Sequence, residues 1–252
     1  MVFSIIIITK NEQNNIGRTL SSIKELSDDI IIVDSGSTDE TLTICKEFNC
    51  RIIETDWKGY GETKNIGNQA AKYDWILSID ADESVGQQLS SFLLSLSPDN
   101  NNLIYLIRIK NFFCQKLIRF GSWGNDNHLR FFNRKNTKWN NAAVHESLVF
   151  EEPPQIKKAN GYLLHYTYNT IQEYLDKVDY YSKLNAEKYY RKGKKATFVK
   201  LYISPAFTFV KDYFFKGGIL DGRYGLLIAR ISARGTKLKY QYLKEMIANK
   251  IN

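Results

Sequence analysis

Three short apolar segments, each followed directly by a polar cluster, constrain the fold of this chain more than any other feature of its sequence. The segments end at Thr9, Asp34 and Asp80, and the stretches between them carry apolar residues at helical intervals. Alternating strands and helices build a mainly parallel sheet with right-handed crossovers. In such sheets ligands bind beyond the carboxyl ends of the strands, so we expect the three polar clusters to meet around one ligand.

The pattern of apolar and polar residues changes twice along the remaining sequence. Residues 51–54 are a further predicted strand, residues 61–72 and 87–96 are predicted helices, and Ser37 with Glu40 predicts a capping box that starts another helix. Later strands are predicted, between Gly, Asn and Pro turns, at residues 103–109, 129–132, 144–150 and 161–166. From residue 170 onward an apolar stripe predicts helices. We therefore assign residues 1–168 to an α/β domain and residues 169–252 to a helical C-terminal region.

The composition narrows the class of protein. Hydrophobic residues make up 43% of the 252 residues, which excludes a disordered chain. Three cysteines with no CxxC pair favour a reducing compartment. The N-terminus predicts a buried strand and no signal peptide, and no stretch reaches the roughly 18 consecutive apolar residues of a spanning helix. We expect a soluble or peripheral protein.

The net charge of +8 is concentrated in the C-terminal region. From residue 177 to the end there are 17 Lys and Arg against 5 Asp and Glu, with Phe and Tyr side chains interleaved among them. Basic residues mixed with aromatic ones at helical spacing indicate helices that lie on an anionic membrane surface. Two other interpretations stay open: lysines that merely solubilise exposed helix faces, and an amphipathic helix packed on the α/β domain. A nucleic-acid partner is a third explanation of the charge.

Asp80 and Asp82 form the sharpest candidate site. Two carboxylates one residue apart at a strand end can hold one Mg²⁺ or Mn²⁺ ion, which prefers oxygen ligands. Such an ion can bridge a diphosphate and neutralise charge on a departing nucleotide. The alternative is a solvated acidic turn. Asp34, followed by Ser35 and other small residues, can accept hydrogen bonds from a base or ribose, or can simply belong to a helix-capping turn.

Taken together, four ordered motifs resemble the family 2 glycosyltransferases. They are SIIIITKNE at the N-terminus, VDSGSTDET from residue 33, a Lys-Asn pair at residues 64–65 and LSIDADE from residue 77. Later segments resemble the lipopolysaccharide core β-1,4-glucosyltransferases: Trp-Gly at 123–124, LRFF at 129–132, Val-His-Glu at 144–146 and His-Tyr at 165–166.

The resemblance implies a GT-A fold, a Rossmann-like, mainly parallel mixed sheet flanked by helices, here with a basic, membrane-associating helical extension. Residues 1–168 would then be the catalytic and nucleotide-sugar-binding domain. The implied chemistry is an inverting single displacement from a nucleoside-diphosphate sugar, with Mn²⁺ or Mg²⁺ as cofactor. Carried over by position, the nucleotide-binding residues would be Thr9, Asn11, Glu12, Asp34, Ser35, Lys64 and Asp80. The metal site would be formed by Asp80 and Asp82, with Asp82 the direct ligand.

Four further residues, Glu146, His145, His165 and Arg130, are assigned with open alternatives. The displacement needs a base near the acceptor hydroxyl, and the Glu-Asp pair that many family members use is missing. We predict that Glu146 is the base and that His145 orients it. Asp126 is the alternative base, and a surface pair of His145 and Glu146 with no catalytic role is the other interpretation. His165 follows an apolar strand and is either a metal ligand, as an imidazole can be, or a core histidine. Arg130 either clamps the diphosphate or makes an ordinary salt bridge.

The expected reaction is transfer of a hexose, glucose from UDP-glucose, to a lipid-linked acceptor such as the lipopolysaccharide inner core. The expected location is the cytoplasmic, inner face of the bacterial inner membrane. Transfer to a polyisoprenyl phosphate is the runner-up. A nucleotidyltransferase and a basic nucleic-acid-binding protein are hypotheses from other classes; the second leaves the carboxylates at three strand ends unexplained, so we expect no nucleic-acid partner.

Overall fold

A computed structural model of the chain describes residues 1–98, 100–141 and 146–249. The chain forms two compact units. The first unit contains Met1–Ile109 and Asp126–His165, and the second contains Lys110–Asn125 and Tyr166–Asn252. We describe each unit by itself.

The strands are numbered in chain order. They are β1 (Ser4–Thr9), β2 (Ile30–Asp34), β3 (Arg51–Glu54), β4 (Trp75–Asp80), β5 (Glu83–Val85), β6 (Leu103–Phe113), β7 (Lys116–Ile118), β8 (Asp126–Asn133), β9 (Thr137–Trp139), β10 (Leu148–Phe150) and β11 (Gln155–Tyr168). The helices are α1 (Ile16–Ile23), α2 (Thr41–Glu47), α3 (Tyr60–Ala70), α4 (Gln87–Ser95), α5 (Ile171–Arg191), α6 (Ser204–Val210) and α7 (Gly222–Ala248).

The main sheet is mixed, with its parallel part at the N-terminal end of the chain. Its strand order is β3-β2-β1-β4-β8-β6-β11-β5, with β7 beside β6, and β9 pairs with β10 in a small separate sheet. Strands β3, β2, β1 and β4 run parallel, whereas β8 runs antiparallel to β4 and to β6, and β5 antiparallel to β11. The predicted α/β class and the four parallel strands are therefore confirmed.

Strand β1 lies at the centre of the first unit and explains why its sequence is continuously apolar. All six of its residues are buried. Ile5 and Ile7 belong to the core on one face of the sheet, with the apolar side of α1, and Ile6 and Ile8 belong to the core on the other face. A strand covered on both faces has no polar side, so it loses the alternation of a half-exposed strand.

The capping box predicted at Ser37 and Glu40 is wrong. Helix α2 starts at Thr41, and its N-terminal residue makes no side-chain capping bond. The Oδ1 atom of Asp39 instead accepts a hydrogen bond from the Thr41 amide at 3.0 Å. Ser37 Oγ donates to the carboxylate of Asp34, so this hydroxyl serves the loop after β2 and not the helix.

The second unit is built on the long helices α5 and α7, which pack along one another. Helix α5 begins with a capping box in which Thr170 Oγ1 accepts from the Glu173 amide at 3.1 Å. Helix α6 is flanked by two π-helical turns, Val199–Ile203 and Lys211–Phe215. Within the part of the chain that the structure describes, no helix combines the length and apolarity needed to cross a membrane.

Candidate active site

The carboxyl ends of three neighbouring strands carry the predicted polar clusters. Strand β1 pairs with β2 on one side and with β4 on the other, so that Thr9 lies opposite Asp34, and Ile8 lies opposite Asp80. The predicted convergence at this edge of the sheet is present, and it lies entirely within the first unit. Side chains that are dozens of residues apart in sequence are thereby brought to adjacent strand ends.

Asp34 is fully buried and organises the loop that follows β2. Its Oδ2 atom accepts from the amides of Gly36 at 2.9 Å and Ser37 at 2.8 Å. Gly36 has φ +83°, in the left-handed region that favours glycine. The carboxylate therefore folds the loop directly, and a contact between Asp34 and a bound nucleotide stays a prediction.

Asn11 and Glu12 tie the loop after β1 to the loop after β2. Asn11 Oδ1 accepts from the Thr38 amide at 2.8 Å, and the Asn11 amide donates to Ser37 Oγ at 2.9 Å. The Glu12 amide donates to Thr41 Oγ1 at 2.8 Å. Both residues thus hold the two loops together, a role that residue spacing did not indicate.

Two buried hydroxyl groups at this edge have their hydrogen-bonding capacity unused. Thr9 and Ser35 are each only 5% exposed, and neither Thr9 Oγ1 nor Ser35 Oγ has a hydrogen-bond partner among the described residues. A buried polar atom without a partner costs about 1–3 kcal/mol. A ligand that hydrogen-bonds these hydroxyls would recover that cost, which fits their predicted place in the nucleotide pocket.

Arg130 joins two carboxylates at the end of β4. One guanidinium nitrogen lies 2.7 Å from Asp80 Oδ2 and 2.7 Å from Glu83 Oε1. Glu83 Oε2 also accepts from the Asp80 amide at 2.9 Å. Arg130 is 5% exposed and Glu83 is 1% exposed, so this ion pair is built into the protein interior.

The charges around this arginine shift the ionisation of its partners. Burial alone would raise the pKa of Asp80, but Arg130 and Lys64 outweigh it and hold that pKa far below its usual range. The pKa of Glu83 is raised, because burial and the charge of Asp80 outweigh the attraction of Arg130. Asp80 is thus the firmly ionised member of the pair.

Lys64 on α3 connects the end of β4 to the segment after β9. Its Nζ lies 3.2 Å from Asp80 Oδ1 and 2.7 Å from Glu146 Oε1, and 4.8 Å from the centre of the Trp139 ring. Lys64 is only 2% exposed. The predicted base Glu146 is therefore anchored beside the predicted diphosphate site by a buried ammonium group.

His165 meets Asp82 because β11 pairs with β5. In this antiparallel pair His165 lies opposite Glu83, which places the imidazole Nε2 3.1 Å from Asp82 Oδ2. Burial lowers the pKa of His165, but the negative charges of Asp82, Glu83 and Asp80 outweigh it and raise that pKa to about 9. The imidazole and the carboxylate thus pair with each other, and His165 can serve as a metal ligand only after it loses its proton.

The donor set fits a divalent cation that the protein holds together with its substrate. Among residues 1–98, 100–141 and 146–249, no group of three or more His, Cys, Asp or Glu is arranged to hold a metal. Both oxygens of Asp80 face a cation, Lys64 or Arg130. Asp82 and His165 remain as a carboxylate and an imidazole donor, and Mg²⁺ or Mn²⁺ commonly completes such a set with substrate phosphates and water.

Asp126 and His145 are the other two residues predicted to take part in proton removal. His145 falls outside the described residues, so its predicted orienting role is untested. Asp126, the alternative base, begins β8, and its Oδ1 lies 2.8 Å from Nε2 of His128.

Sequence reasoning missed two residues that shape the site. Glu83 directly follows the two aspartates, but nothing in the sequence shows that it is buried under Arg130. Asn65 forms hydrogen bonds with both backbone polar groups of Trp139. Its Nδ2 donates to the carbonyl oxygen at 2.9 Å, and its Oδ1 accepts from the amide at 3.0 Å. The available signal was that Asn65 belongs, with Lys64, to the Lys-Asn pair among the four motifs.

The mixed sheet flanked by helices is that of a GT-A fold. Residues 4–152 match the model of Glycosyl transferase family 2, which is more than half of the chain, and the chain belongs to this family. It is 29% identical over 255 residues to an uncharacterized glycosyltransferase, RT0209, of Rickettsia typhi, covering 96% of this chain and 87% of that protein.

The chain is also similar to a second glycosyltransferase sequence and to a solved structure. The chain is 27% identical over 250 residues to the lipopolysaccharide core biosynthesis glycosyltransferase LpsC of Rhizobium meliloti, covering 91% of this chain and 90% of LpsC. Among solved structures, TarS of S. aureus in complex with UDP aligns with a TM-score of 0.46 and 15% identity, over 99% of this chain and 92% of that one.

Proposed function

We propose that this glycosyltransferase moves a hexose, glucose from UDP-glucose, to a lipid-linked acceptor of the lipopolysaccharide inner-core type, with inversion at the anomeric carbon. The observation that carries the proposal is the cluster of Lys64, Asp80, Asp82, Arg130 and His165 at the carboxyl edge of the sheet. The full-length similarity to LpsC supports the class of acceptor. The proposed location is the cytoplasmic face of a bacterial inner membrane, where such an acceptor is presented.

The donor would lie across the ends of β1, β2 and β4. The hydroxyls of Thr9 and Ser35 would bond the nucleoside, beside the loop that Asp34 folds. Asp82 and His165 would hold a Mn²⁺ or Mg²⁺ ion, which when bound neutralises the diphosphate. Arg130 keeps Asp80 fixed and ionised next to that position, so the carboxylate does not have to reorganise when the donor binds.

The transfer step then assigns a role to Glu146. The acceptor hydroxyl oxygen would form the new bond to the anomeric carbon while the bond from that carbon to the diphosphate oxygen breaks. Glu146 would take the hydroxyl proton, and UDP would leave with the bonding electron pair. Lys64 supports this role because it fixes Glu146 Oε1 at 2.7 Å, next to Asp80. A base that is held in position accelerates proton transfer more than a base that must first be oriented.

A donor screen tests the proposal first. Purified protein is mixed with UDP-, GDP- and dTDP-sugars, with and without Mn²⁺, and thermal stabilisation and sugar-nucleotide hydrolysis are measured. We expect stabilisation that requires the metal and is largest with UDP-glucose. Absence of any response to every nucleotide sugar, in both conditions, would contradict the proposal.

Variants then separate the roles. Asp82→Asn should abolish metal-dependent stabilisation, whereas Asp28→Asn, an exposed carboxylate away from the site, should leave it unchanged. Glu146→Gln should lower kcat by about 10²–10⁴ while the KM for the donor stays close to its original value. If Asp126→Asn produces that loss and Glu146→Gln does not, the base is Asp126. Extracted lipopolysaccharide core and a polyisoprenyl phosphate, offered in parallel, identify the acceptor class.

A further inference from the structure

The second unit exposes a run of large aromatic side chains, which we call the aromatic surface. Its members are Phe198, Tyr202, Phe207, Phe214 and Phe215, which are 70%, 56%, 60%, 54% and 78% exposed, respectively. Phe198 directly precedes the first π-helical turn, and the other four belong to α6 and the two π-helical turns that flank it. Scattered exposed apolar residues are ordinary on protein surfaces, but a contiguous set of large ones marks an interaction site.

The exposed rings lie on the outward side of this helical segment. Leu201, Pro205 and Asp212 are buried, at spacings of four and seven residues that place them on one helical face. Leu201 packs in a core cluster with Tyr240 and Leu243 of α7. The segment is therefore apolar on both sides, and only one of these sides is used in packing within the second unit.

The charge of the segment identifies what the outward side would contact. Residues 191–220 contain seven Lys or Arg and one acidic residue, Asp212. Asp212 is 6% exposed, and its Oδ1 accepts from Ser122 Oγ at 2.5 Å, so its carboxylate does not face outward. Lys194, Lys195 and Lys200 are all exposed. The outward side therefore presents cations and aromatic rings with no carboxylate of its own segment among them.

We propose that residues 194–220 form a docking surface for an anionic lipid bilayer. The rings would lie at the level of the headgroups, and the lysines would contact the lipid phosphates. A protein partner fits less well, because the centres of protein–protein interfaces are depleted in lysine. The inference goes beyond the proposed sugar transfer and does not depend on it, since it uses residues of the second unit alone.

The test is flotation of the full chain with vesicles. We expect binding to phosphatidylcholine vesicles that contain about one-third phosphatidylglycerol, weak binding to pure phosphatidylcholine, and release by salt. Replacing Lys194, Lys195 and Lys200 by Gln should weaken binding about fivefold per lysine. The triple variant Phe207→Ser, Phe214→Ser, Phe215→Ser should weaken it at least about tenfold.

A matched control removes the same chemistry elsewhere. Val149, Ile156, Lys157 and Lys158 are exposed residues of the first unit, and replacing them by Ser or Gln should leave vesicle binding unchanged. Equal binding to both kinds of vesicle, or full binding by both triple variants, would overturn the proposal. A concentration-dependent dimer that the aromatic variant abolishes, without any vesicle binding, would assign the surface to a second copy of the chain instead.

The proposed sugar transfer and the proposed lipid surface can be refuted independently of each other. Metal-dependent stabilisation by UDP-sugars, measured without vesicles, should be the same in the triple variants as in the unaltered chain. Loss of donor binding together with intact vesicle binding would refute the proposed transfer and leave the lipid surface standing. The reverse result would refute only the lipid surface.

Discussion

Replacing Arg130 by Met should lower the free energy of unfolding by about 2–3 kcal/mol. The change strands Glu83, which is 1% exposed, and a buried carboxylate that loses its partner costs about 3–5 kcal/mol. Asp80 adds little, because its side chain is 36% exposed and keeps Lys64. The Nε atom of Arg130 is buried with no partner among the described residues, so its removal returns about 1–2 kcal/mol.

Urea unfolding of a double-mutant cycle measures this coupling. Glu83→Gln alone should cost about 1 kcal/mol, because the amide oxygen still accepts from the Asp80 backbone. The double variant should be more stable than the sum of the single losses predicts, by at least about 1 kcal/mol. Lys135→Met, which removes an exposed ion pair, serves as control and should change stability by less than about 0.5 kcal/mol. Losses that add within about 0.5 kcal/mol would refute the reasoning.

Three further changes probe the scaffold. Burial raises the pKa of Asp29, but its hydrogen bonds outweigh burial and lower that pKa. The variant Asp29→Asn should therefore be less stable than the unaltered chain near neutral pH, and the difference should shrink below the unfolded pKa of about 3.9. A difference in unfolding free energy that does not change with pH in urea unfolding would contradict this. Gly61→Ala should lower the free energy of unfolding by about 1–3 kcal/mol in the same assay, because the added Cβ would lie 1.8 Å from the Asn140 carbonyl oxygen. Gly17→Ala should not lower it, because there the added Cβ would lie 3.6 Å from Ile44 Cγ2, an ordinary contact. Equal effects of the two changes would refute the packing argument. Asn65→Ala should lower kcat for donor hydrolysis at least about tenfold, because it releases the backbone next to the Glu146 segment; an unchanged kcat would remove that role.

The parallel part of the sheet could be predicted because its signals are local. A continuous apolar run such as the one ending at Thr9 belongs to a strand buried on both faces, and the polar residues after it belong at the carboxyl edge. Strand β5 could not be predicted in this way. It has three residues, begins with the charged Glu83, and exists because β11 pairs with it from far along the chain.

The site could be predicted as a set of residues but not as a set of contacts. Spacing placed Asp34 and Asp80 at the carboxyl ends of parallel strands, and the register puts these two strands on either side of β1. It did not indicate that Lys64 reaches both Asp80 and Glu146, because that depends on how α3 packs. The capping box failed for a related reason: Ser37 Oγ donates to the Asp34 carboxylate and accepts from the Asn11 amide, so it does not accept from a helix amide.

The pairing of β11 with β5 also determines which length changes this chain tolerates in evolution. Asp82 and His165 are 83 residues apart, yet hydrogen-bond register, not chain length, decides that they meet. Insertions or deletions in the turns between the two strands would leave the meeting point where it is. A slip of one residue within β11 would instead turn the imidazole to the opposite face of the sheet. Homologues can therefore be expected to vary freely in the intervening turns while the spacing from Leu163 to His165 stays fixed.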